Sequence, residues 1–226
     1  MHILNSRASR TTEMSNDERQ QAHALDEMLP PTAKRRVYER IALKIREFAG
    51  TAIDQPLNPW KLAPFVKVRV MNLKEVEGLS DESLKLLLGD NGKSWSGGAS
   101  RPLPDGWRLV FLNPNHTRER QAATLMEEIC HVILGHSPTR LMLAEETNKG
   151  IRFRNFDKNQ EEVAYSVGAA SLIPYFSLRH AVMAGLNSDK IARRYGVSRD
   201  LVEYRIKVCR LWADYKERRA KAIQAL

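Results

Sequence analysis

The sequence predicts an α+β fold: a small antiparallel sheet packed against buried helices, then a helical C-terminal region containing a helix-turn-helix-like pair. Three observations carry it. Val66-Lys67-Val68-Arg69-Val70 alternates apolar and polar as a half-buried strand does, and residues 107–112 supply a second strand. Residues 117–138 have helical periodicity with apolar side chains on nearly every side. Beyond Phe176, short amphipathic stretches are punctuated by Gly196.

A chain of 226 residues accommodates one core with appendages, and 42% hydrophobic with 28% charged residues is globular composition. There is no apolar run of about eighteen residues to mark a membrane span. The N-terminus, with Arg7, Arg10, Glu13, Asp17 and Glu18, lacks the apolar centre of a secretory signal. Two cysteines, Cys130 and Cys209, point to a reducing compartment rather than a disulfide framework, so the cytoplasm is the expected location. The net charge of +9 is uneven: from residue 176 onward twelve bases face five acids, about +7 of the total. Such a segment suits either a solvated basic helix or an acidic partner such as nucleic acid.

Taken in order, residues 1–30 are polar and aperiodic and form an expected tail. Thr32 caps an expected helix to Ala49, with Val37, Ile41, Ile45 and Phe48 as its apolar stripe and Gly50 as its stop. Residues 80–88 make a short helix. The following glycines resemble a phosphate loop, but position 87 is Leu where that loop needs its first Gly. Residues 95–106 are rich in Gly and Pro and read as a turn or hairpin tip. Gly135 and Pro138 close the buried helix. Residues 140–156 form a mixed connection, and Asp157 with Gln160 opens another helix running to Ile173 before Pro174. Ile191-Ala192, Tyr195-Gly196-Val197-Ser198 and Leu201-Val202 follow the helix-turn-helix pattern, which plain helical hairpins share. Residues 211–226 form a basic helix.

Chemistry concentrates on the buried helix. Thr124, Glu127, Glu128, His131 and Gly135 share one narrow stripe at 100° per residue. Buried carboxylates need a partner. One reading supplies a divalent cation: Glu127 and His131, four apart, bind it from one face, and Glu128 stands beside it as general base. The other pairs the acids with His131 and an arginine elsewhere. The spacing is that of the zinc-peptidase signature His-Glu-x-x-His with Glu127 in place of the first His. His136 is an alternative nitrogen ligand, or else a polar residue at a helix terminus. Cys130 points to the apolar side as a small core residue.

The Glu-x-x-His helix, Glu161-x-x-Ala164 in a helix ending Leu172-Ile173-Pro174, and Ile191-Ala192-Arg193-Arg194-Tyr195-Gly196-Val197-Ser198 with Arg205 beyond together resemble the ImmA/IrrE family of metallopeptidase-like proteins. The similarity spans residues 33–211. It implies a compact domain with a gluzincin-type site, in which His131 matches the second His ligand, Glu128 the general base and Glu161 the third ligand. Glu127 stands where the first His belongs, and Tyr165 where the family has Asn or Asp. Tyr165, Tyr175 and His180 are candidate transition-state donors.

The resemblance implies a cytoplasmic zinc metalloendopeptidase with an altered ligand set. Its expected partner is a helix-turn-helix repressor or regulator, of the kind such proteins act on in phage, mobile-element and stress-response circuits. The second carboxylate leaves the site near neutral with a cation bound, which weakens activation of water and tilts the choice of metal from Zn toward Mn or Fe. A weak or inactive regulator that binds a repressor or DNA is the alternative, with Arg193, Arg194, Arg199 and Arg205 as nucleic-acid contacts. A structural domain without metal is a third reading. Expected organisation is a tail at 1–30, a metallopeptidase-like domain at 31–186 and a basic helical region at 187–226.

Overall fold

The computed structural model describes residues 28–75, 80–89, 95–136 and 157–224. The tail up to residue 27, most of the 89–94 loop and the 140–156 connection lie outside the described residues. Along the chain come α1 (Ala33–Phe48), the single turn α2 (Pro59–Leu62), β1 (Val68–Met71), α3 (Asp81–Leu88), β2 (Gly97–Ala99) and β3 (Arg108–Leu112). Then follow α4 (Arg118–Ile133), α5 (Lys158–Leu172), α6 (Tyr175–Met183), α7 (Ser188–Tyr195), α8 (Arg199–Val208) and α9 (Trp212–Gln224). The fold is α+β and dominated by its helices.

The sheet is small and mixed, in the order β1-β3-β2. β2 runs antiparallel to β3, as expected, with Gly98 opposite Phe111. The purely antiparallel expectation is corrected at β1, which pairs parallel to β3 with Val70 opposite Val110. A parallel pair needs a crossover connection, and the chain between them, including α3 and β2, supplies it. β2 itself falls inside the stretch expected to be a turn. Gly97 is required there: a Cβ would meet Thr124 Cγ2 of α4 at 2.5 Å.

α1 is the other correction. Val37 and Phe48 of the expected apolar stripe are 51% and 61% exposed, while Tyr38, Glu39, Ala42, Ile45 and Arg46 are buried. The helix is rotated because its charges have interior partners. Arg46 donates to the carbonyl oxygens of Ser171 (2.6 Å), Ala52 and Gln55. Glu39 Oε2 accepts from Arg205 Nη2 at 2.8 Å, and its Oε1 accepts from the Tyr175 N–H at 2.5 Å. Arg205 Nε donates to the Ile173 carbonyl at 3.1 Å. Glu39 and Arg205 therefore clasp the junction where α5 ends at Pro174 and α6 begins. Arg205 is 2% exposed. Its expected role as a nucleic-acid contact is overturned.

Local chemistry fixes the helix ends that matter. Thr117 caps α4, and Gly135 (φ +67°) closes it. The Gly135 N–H reaches the Val132 carbonyl at 3.2 Å and the His136 N–H reaches that of His131 at 2.9 Å, the paired bonds of a Schellman motif. Asp157 caps α5 by accepting from the Asn159 and Gln160 N–H groups. Gly196 (φ +63°) turns α7 into α8, which Ser198 caps. One hydrophobic cluster runs through Ile45, Val110, Met126, Ile129, Val167 and Leu178, and on to Ile191, Val202 and Ile206. It is continuous across residue 187.

Candidate metal centre

α4 packs along α5. Gly168 permits the close approach, since a Cβ on it would lie 3.4 Å from the Glu127 nitrogen and the Met126 carbonyl carbon. That contact faces the acidic stripe of α4 with the first turn of α5, where Glu161 sits. Among the described residues, Glu127, His131 and Glu161 form a group whose candidate ligand atoms all lie within 4.8 Å of one another. His131 Nε2 is 3.4 Å from Glu161 Oε2, and His131 is only 8% exposed. A tetrahedral ion with bonds of about 2.1 Å holds its ligands about 3.4 Å apart. The residues present fit a divalent cation in spacing and in donor type.

The electrostatics point the same way. Burial, then Glu128 and Glu161, push the Glu127 carboxyl up to about 7, with His131 opposing. Burial also raises Glu128; His131 and Arg108 oppose it and Glu161 adds to it. Burial disfavours the His131 cation, but the Glu161 hydrogen bond and the charges of Glu161, Glu128 and Glu127 raise it overall. Three carboxyl groups crowd one imidazole, an arrangement that a bound cation stabilises.

His136 does not join the group. Its Nδ1 lies 3.1 Å from Nδ1 of His131, which places it beside the ring nitrogen opposite the one that faces Glu161. Tyr165 feels the cluster: burial, Tyr204 and then Glu127 push its phenol up to about 12. Tyr175 is buried, and His180 is exposed with Nδ1 2.9 Å from the Phe176 carbonyl. Cys130 is fully buried in the core. On the helix pair, Arg193 and Arg194 are exposed, whereas Arg199 is tied to Glu203 at 2.7 Å and shares the first turn of α8 with Asp200.

Two contributors carry no sequence signal. Arg108, first residue of β3, lowers Glu128 only because the sheet lies against α4. Ser166 Oγ accepts from Arg35 at 2.7 Å and lies 3.2 Å from Tyr204 Oη, linking α1, α5 and α8 behind Tyr165, whose ring meets that of Tyr204 at 5.0 Å. Each of these depends on tertiary placement.

The family model for the IrrE N-terminal-like domain, a peptidase family, matches residues 90–207, more than half of the chain. Among solved structures, a Mycobacterium tuberculosis transcriptional regulator is similar, with a TM-score of 0.44 and 12% identity over 75% of this chain. The match takes in 46% of that protein, so the chain spans less than half its length. No curated protein matches significantly. Among the described residues, no helix is long and apolar enough to cross a membrane.

Proposed function

The chain belongs to the IrrE N-terminal-like peptidase family, and from that premise we propose that it is a cytoplasmic metal-dependent endopeptidase of low turnover that cuts a regulatory, repressor-like protein. The observation that carries this reading is the convergence of Glu127, His131 and Glu161 from two adjoining helices. These three side chains would hold the cation, zinc first, with Mn or Fe favoured more than in a site with two imidazoles. A divalent cation held there would supply Lewis acidity toward the scissile carbonyl and the attacking water.

Glu128 is the general base. Its half-buried carboxylate, one residue from Glu127, takes the proton of the attacking water and returns it to the leaving amide nitrogen. β2 is an outer strand of the sheet, and Gly97 packs on Thr124, one turn before Glu127 and Glu128. Its outer edge offers backbone donors and acceptors to an extended substrate segment. Turnover is low because two carboxylate ligands, with Glu128 beside them, cancel most of the positive charge that activates water.

The second reading is a regulator that binds its partner without cutting it, favoured by Glu127 in the first ligand position and by exposed Arg193 and Arg194 on the helix pair. Elemental analysis with Glu128→Gln separates the two. The peptidase reading expects one metal per chain, lost in His131→Ala or Glu161→Ala. It expects Glu128→Gln to keep the metal while cleavage falls at least about 100-fold. Regulation that survives Glu128→Gln intact selects the binding reading, and salt-sensitive retention on DNA would identify a nucleic-acid ligand.

A further inference from the structure

The geometry points to His136 as a positioning residue that orients His131, a role that rests on the metal-site reading above. The reversal at Gly135 folds residue 136 back along its own helix, with its N–H on the His131 carbonyl at 2.9 Å. It also sets the two rings edge to face, with centroids 5.1 Å apart and their Nδ1 atoms 3.1 Å apart. Nε2 of His131 faces Glu161 Oε2 at 3.4 Å. Both nitrogens of His131 are therefore engaged, one toward the candidate metal centre and one toward His136.

Two ring nitrogens at hydrogen-bond distance share one proton. A His131 that ligates through the Nε2 lone pair carries its proton on Nδ1. Nδ1 therefore donates, and His136 Nδ1 accepts, leaving the proton of His136 on its own Nε2. The contact fixes the rotation of His131 before a cation arrives, and with a cation bound it would also hold the Nδ1–H tautomer, the service that an outer hydrogen-bond acceptor performs for metal-binding histidines. A neutral acceptor suits this centre, because a carboxylate in its place would add negative charge beside Glu127, Glu128 and Glu161. The cap that delivers the ring is made of backbone bonds, so removing the ring leaves the end of the helix intact.

The test measures zinc affinity of the full chain by competition with a chromophoric chelator in wild type, His136→Ala, His136→Asn and His131→Ala. His131→Ala is expected to lose stoichiometric zinc. His136→Ala should bind about 10–100-fold more weakly, and His136→Asn, which keeps an acceptor near the same place, should recover most of the loss. In the zinc-loaded wild type, the His131 Nδ1 proton should appear as a slowly exchanging downfield ¹H–¹⁵N signal. It should vanish in His136→Ala and persist in His136→Asn, a signature that a purely structural role would not produce. Equal zinc affinity in wild type and His136→Ala overturns the positioning role and leaves the metal centre standing. A loss in His136→Asn as complete as in His131→Ala makes His136 a ligand and overturns it too. A wild type that binds no zinc removes both readings together.

Discussion

Replacing Glu127 by Gln removes a charge and almost no volume, which separates the stability of the metal-free fold from its affinity for a cation. Without metal, the Glu127 carboxyl ionises near 7 against an ordinary value of 4.5. At about 1.4 kcal/mol per tenfold change in acidity, that rise costs the folded state about 3 kcal/mol once the group is ionised. Between 4.5 and about 7 the folded chain keeps a proton that the unfolded chain has released. Stability therefore falls as pH rises through that window, and the cost is complete above it. Glu127→Gln never ionises. In chelator near pH 8 it should be about 3 kcal/mol more stable than wild type, about 6–12 °C in Tm for a chain of this size, and the two should converge near pH 4.5. Zinc should reverse the order, because the amide offers no anionic oxygen and the variant forfeits the stabilisation that binding gives. Urea unfolding at about pH 5 and about pH 8, with chelator and with zinc, reads all four quantities. Equal stability of the two proteins in chelator near pH 8 would refute the reasoning, since the crowding of carboxyl groups would then cost nothing.

Arg205→Ala should destabilise by about 3–5 kcal/mol, because it strands Glu39 in the interior, while the double change Glu39→Leu with Arg205→Met should cost far less; denaturant midpoints distinguish them. Gly168→Val should separate α4 from α5 at a cost of about 1–3 kcal/mol, and zinc titration should show weaker binding as Glu161 moves away from His131.

Much of this molecule could be read before folding, wherever the signal was local. The stripe through Glu127, Glu128 and His131 follows from helical periodicity alone, and Gly135, Pro174, Gly196 and Ser198 announce their helix ends by backbone chemistry. The failures share one cause, which is that the deciding partner is distant. Nothing in the residues around Glu39 or Arg46 indicates that Arg205 and the Ser171 carbonyl await them inside, so the buried face of α1 keeps Ile45 of the expected stripe but leaves Val37 and Phe48 exposed. Gly97-Gly98 looks like a turn because the reason for glycine, Thr124 on α4, belongs to another element. Parallel pairing of β1 with β3 leaves no mark on either strand. Arg205 counts as one more base in a basic segment until its burial is seen.

The clasp between Glu39 and Arg205 joins positions 166 residues apart. Removing or exchanging the helix pair while Glu39 stays in place therefore leaves that carboxylate in the interior without its arginine. What has the outline of a detachable DNA reader serves as the keystone beneath the junction of α5 and α6.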